Sequence, residues 1–69
     1  MDYTNSQRQE AIAEAIHNAA HRRILKLRLI DGMTYEAIAE SMEMSPRQIG
    51  YILAKTVPKV YDYLRRKFA

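Results

Sequence analysis

Residues 34–55, TYEAIAESMEMSPRQIGYILAK, decide the fold. Thr34 is a good N-cap, and Tyr35, Ile38, Ala39 and Met42 follow at the i, i+3, i+4, i+7 spacing that places apolar side chains on one face of a helix. Glu43 and Met44 interrupt the pattern. Ser45 then opens a second helix. Pro46 takes its first position, where proline's fixed φ helps and its missing N–H costs nothing, and Gln48 completes a capping box. Ile49, Ile52, Leu53 and Thr56 form its inner face. Helix, short turn and helix make the helix-turn-helix pattern.

Upstream, HRRILKLRLI at residues 21–30 is apolar around much of its circumference through Ile24, Leu25, Leu27, Leu29 and Ile30, as expected of a helix lodged between neighbours. The alternation of Leu25, Leu27 and Leu29 suggests a strand in isolation, but Asp31-Gly32 supplies a helix stop and the flanking segments are helical. Thr4, Asn5 and Ser6 offer N-caps for a first helix, and Ser6 with Gln9 has the capping-box spacing. Its stripe of Ile12, Ala15, Ile16, Ala19 and Ala20 suits internal packing and a dimer seam equally. A bend or break is expected near His21, where residues of neutral helix propensity decide little.

Downstream, Pro58 removes a backbone hydrogen bond and clashes with the Ala54 carbonyl, a cost of about 3 kcal/mol that predicts a kink or break at residues 56–58. Beyond it, Val57, Tyr61, Leu64 and Phe68, with Val60 beside them, form an amphipathic segment able to dock on the core or on a second protomer. The expectation is a small all-α domain of four or five helices containing a helix-turn-helix. Residues 1–69 form one domain, with 1–21 as a supporting helix, 22–56 as the helix-turn-helix core and 57–69 as a terminal amphipathic helix.

A chain of 69 residues holds one domain at most and only a small core. With no cysteine it has neither a disulfide framework nor a thiolate metal site. No apolar run approaches the roughly 20 residues that span a bilayer, and the N-terminus does not resemble a signal peptide, so a soluble cytoplasmic protein without membrane contact is expected. The net charge of +3 is unevenly spread. Arg8 stands against Asp2, Glu10 and Glu14 in residues 1–21, whereas ten cations face five acids from residue 22 onward. Glu36, Glu40 and Glu43 gather on the first helix of the motif, and Arg47, Lys55, Lys59, Arg65, Arg66 and Lys67 leave the last third basic. Such a division fits a surface presented to a polyanion, although solvated helix faces would carry the same charges.

In a helix-turn-helix the second helix enters the major groove and its first turns meet base edges. Arg47, Gln48, Tyr51 and Lys55 point away from the inner face and are candidate readers. Arg47 suits a guanine, Gln48 an adenine, and Tyr51 a thymine methyl or a phosphate. Gly50, lacking a side chain, would let the helix lie closer to the groove. Each residue also has a plainer role: Gln48 as a cap, Arg47 as a solvated cation, Gly50 as a packing contact, and Tyr51 as a half-buried ring. Phosphate holders are expected at Arg22, Arg23, Lys26, Thr34, Ser45, Lys55 and Lys59, with the free amides of the second helix's first turn adding to Ser45.

The stretch RRILKLRLIDGMTYEAIAESMEMSPRQIGYILAK resembles the fourth region of bacterial sigma factors, over about residues 22–66. Three joined pieces carry the likeness: the apolar ILKLRLIDGMT lead-in, the YEAIAESM helix and the S-x-x-x-I start of the next helix. The resemblance implies a helix-turn-helix that reads an upstream promoter element and touches RNA polymerase. The family's base-reading positions fall on Pro46, Arg47, Gly50 and Tyr51, and its basic continuation on Lys55 and Lys59. Ala37 stands where the family usually has a capping glutamate, and Glu43 where the turn often has glycine, so a positive φ there would cost of order 1 kcal/mol. Pro46 and Gly50 replace long polar side chains. Without the part that binds core polymerase and melts promoters, the chain resembles a stand-alone regulator of phages or mobile elements, or an excised domain.

The expected partner is double-stranded DNA, with RNA polymerase or a second copy as a further handhold because so small a monomer makes few contacts. A module binding polymerase or another regulator, and the DNA-recognition part of a phage packaging complex, are the alternatives. His17 and His21 are one helical turn apart, but no third ligand accompanies them and no metalloprotease glutamate follows, so no metal or other cofactor is expected. No Gly-rich loop, nucleophile elbow or carboxylate pair suggests an enzyme or a small-molecule substrate. Met33, Met42 and Met44 read as core filler.

Overall fold

Capping chemistry sets where each helix begins. The computed structural model describes residues 2–69 and has four α-helices: α1 Asn5–Ala15, α2 Ala19–Leu29, α3 Tyr35–Met42 and α4 Pro46–Lys67. Thr34 accepts from the Ala37 amide, and Ser45 from the Gln48 amide, both at 3.1 Å. Gln48 returns the bond by accepting from the Ser45 amide at 3.0 Å. Two expectations shift by a few residues. The box of α1 is Thr4 with Gln7, not Ser6 with Gln9; the two share a spacing, and the earlier one adds helical residues.

The second shift is the break between α1 and α2. It falls at residues 16–18, ahead of His21, so Ala19, Ala20 and His21 belong to α2, where both alanines are exposed. Asn18 caps α2 through the His21 amide at 3.0 Å. The Arg22 guanidinium reaches back to the carbonyls of Ile16 and, at 2.7 Å, Ala13. A helix end needs partners for its last carbonyls, and here a cation supplies them while matching the negative end of the dipole.

Gly32, at φ +68°, ends α2 as the sequence suggests, and Arg28 secures the turn by donating to the Met33 carbonyl at 2.9 Å. Glu43 takes the left-handed conformation, φ 56° and ψ 45°, between α3 and α4. Its amide donates to the carbonyls of Ala39 and Glu40, and the Met44 amide closes on the Ala39 carbonyl at 2.9 Å, a Schellman-type stop.

Helix α4 does not break at Pro58. It runs on for 22 residues, roughly 33 Å at 1.5 Å per residue, along a molecule whose longest dimension is 35 Å. Ile49, Leu53, Thr56, Val60 and Leu64 bury one continuous face, which holds the helix together across the position that lacks a donor. Thr56, the buried polar side chain on that face, donates to the Ile52 carbonyl at 2.8 Å. Ala11, Ile12, Ile16, Ile24, Leu25, Ile38 and Ala39 complete a core to which every helix contributes. In α2 only Ile24 and Leu25 are fully buried; Leu27 and Leu29 are half-buried, and Arg23, Lys26 and Arg28 are exposed. Met33, Met42 and Met44 pack half-buried against the core. Among the described residues, no helix is long and apolar enough to cross a membrane.

Candidate nucleic-acid interface

The first half of α4 packs against α3, buries Ile49 and Leu53 on its inner side and leaves its outer side exposed. Arg47, Tyr51 and Lys55, each four residues from the next, form an exposed stripe there. Tyr51 is 70 % exposed, although a phenol ring normally buries most of its area. The Lys55 ammonium lies 5.9 Å from the centre of that ring, close enough for a cation–π contact. Beside the stripe is an open hollow of about 370 Å³ lined by Met44, Arg47, Gln48, Tyr51 and Ile52. Met44 and Ile52, read from sequence as core residues, are half-exposed and give the hollow its apolar character.

Gly50 does not belong to this stripe. A Cβ built on it would meet Cε2 of the Tyr35 ring at 3.4 Å, so the glycine lies where α3 packs on α4. Tyr35 is held from its other neighbour by Arg28, whose guanidinium carbon lies 4.9 Å from the ring centre. Gln48 is exposed, but its Oε1 is turned to the Ser45 amide. A bidentate pair with adenine needs that oxygen as well as the amide nitrogen, so it would share the oxygen with the Ser45 amide.

The expected phosphate holders divide among four places. Thr34 and Ser45 are exposed at the starts of α3 and α4; their hydroxyl oxygens accept from the helix amides and their protons are left to donate outward. Lys55 stands on the stripe. Lys59, one turn of helix further on, lines a smaller hollow of about 190 Å³ with His17, Asn18 and His21. Arg22, Arg23 and Lys26 border none of these. They line a hollow between α1 and α2, and Arg22 is already engaged with the end of α1.

No protein family, curated protein or solved structure matches the chain. Among the described residues, no three His, Cys, Asp or Glu side chains come together in a way that could hold a metal ion. The stripe offers a guanidinium, an aromatic face and an ammonium, and Gln48 beside it adds an amide donor.

Proposed function

We propose that the chain binds double-stranded DNA sequence-specifically, with the first half of α4 in the major groove, and acts in transcriptional control in the cytoplasm. The observation that carries this reading is the exposed stripe of Arg47, Tyr51 and Lys55 on a helix held by α3 from behind. A groove about 12 Å wide admits a helix presented in this way. Arg47 donates a bidentate pair to a guanine, Gln48 contributes a single donor, and the hollow of Met44, Tyr51 and Ile52 receives a thymine methyl. Thr34, Ser45, Lys55 and Lys59 hold phosphates and set the register without reading sequence.

The resemblance of residues 22–66 to the fourth region of sigma factors supports the same docking and suggests RNA polymerase, or a second copy of the chain, as the added handhold that a domain of this size needs. Selection of binding sites from random duplexes, followed by titration at two salt concentrations, tests the proposal. A selected motif whose affinity falls as salt rises is the expected result. No binding at low salt, or binding indifferent to salt, would rule it out.

A further inference from the structure

The hollow between α1 and α2 is lined by Gln9, Ile12, Ala13, Arg22, Arg23 and Lys26. Its charged walls are all cationic. Glu10, the acid next to it in sequence, is drawn away to Tyr63 and Lys67 of α4. Arg22 is held by the carbonyls of Ala13 and Ile16, while Arg23 and Lys26 are exposed and form no ion pair among the described residues. The floor, Ile12 and Ala13, is apolar. A volume of about 280 Å³ lies just below the usual 300–1,000 Å³ of small-molecule pockets and suits an apolar side chain inserted from a larger partner.

We infer that this hollow is a protein-docking surface for an acidic segment that places an apolar anchor on Ile12 and Ala13 and carboxylates against Arg23 and Lys26. Charge complementarity selects an acidic partner, and the apolar floor selects a peptide over a duplex. A phosphate backbone carries nothing to fill such a floor, and interfaces with DNA are more polar and more uniformly basic. Electrostatic complementarity around one buried anchor is a common design for specific but modest binding. The surface lies apart from the Arg47 stripe, so the chain could hold DNA and this partner together.

The test uses the whole chain, labelled for amide NMR, and a synthetic glutamate-rich peptide with two leucines one helical turn apart. Two control peptides replace the leucines by serine or the glutamates by glutamine. Saturable shifts at residues 9–13 and 22–26, lost with either control, are expected. The double variant Arg23→Glu, Lys26→Glu, with unchanged helicity by circular dichroism, should bind the peptide on the order of tenfold more weakly. Absence of binding, shifts centred on residues 47–55, or full affinity in the double variant would overturn the inference. So would duplex DNA shifting residues 22–26 together with weakened duplex affinity in the double variant, since these cations would then be phosphate holders.

Discussion

The Tyr63 hydroxyl donates a 3.0 Å hydrogen bond to Glu10, joining the end of α4 to α1 across 53 residues of sequence. Lys67 adds its ammonium to the same carboxylate oxygen at 3.3 Å. Partial burial and the Glu10 bond raise the Tyr63 pKa above its ordinary value of 10.0, and the Glu10 bond raises Lys67 above 10.5. A raised folded-state pKa means stability that is complete below the unfolded value and is lost as pH climbs through the folded one. The wild-type chain should therefore loosen at this seam as the pH climbs above 10. Tyr63→Phe should lower the thermal midpoint at neutral pH, and the gap to wild type should narrow in alkali. A constant gap across that range would show that the bond contributes nothing.

Glu43 holds a left-handed backbone at φ 56°, where a side chain is strained and glycine is not. Glu43→Gly should raise unfolding free energy by about 1 kcal/mol. Denaturant titration reads this directly, and an unchanged or lowered midpoint would contradict it. Duplex affinity should hardly move, because the residue lies in the turn and not on the stripe.

Gly50 costs α4 backbone entropy, and a Cβ there meets the Tyr35 ring at 3.4 Å, an ordinary contact distance. Gly50→Ala should stabilise the chain by roughly 0.5–1 kcal/mol and leave sequence preference intact. A longer side chain would have to displace Tyr35 from under Arg28. Loss of site preference in the alanine variant would put this position back in the groove.

On the outer face of α4, Arg47→Ala or Tyr51→Ala should flatten preference at one or two positions of the selected site, at about 1–3 kcal/mol each. Lys55→Ala should instead weaken every sequence alike and lower the salt slope by about one. Equal and uniform losses from both groups would remove the division of roles.

Replacing the contacted thymine by deoxyuracil probes the hollow of Met44, Tyr51 and Ile52. Deleting one buried methyl is worth about 0.8 kcal/mol, so affinity should fall roughly fourfold at that position and recover with a methylated pyrimidine. An unchanged affinity at every thymine would leave the hollow without a part in recognition.

Local chemistry was legible in the chain itself. Thr34, Ser45, Pro46, Gln48 and Gly32 set the starts of α3 and α4 and the end of α2, because a cap or a glycine turn is decided within three or four residues of backbone. Most of the buried face of α4 and the exposure of Arg47, Tyr51 and Lys55 followed from helical periodicity alone. Tertiary structure decided the rest. Whether α1 stopped before His21 depended on Arg22 folding back onto the Ala13 and Ile16 carbonyls, and whether α4 survived Pro58 depended on a face continuous from Ile49 to Leu64. That Gly50 faces Tyr35, and that the basic residues part into a stripe, a small hollow and an α1/α2 hollow, depends on how helices distant in sequence are laid together. Capping energies act over one turn, whereas these placements come from burial summed over the whole core.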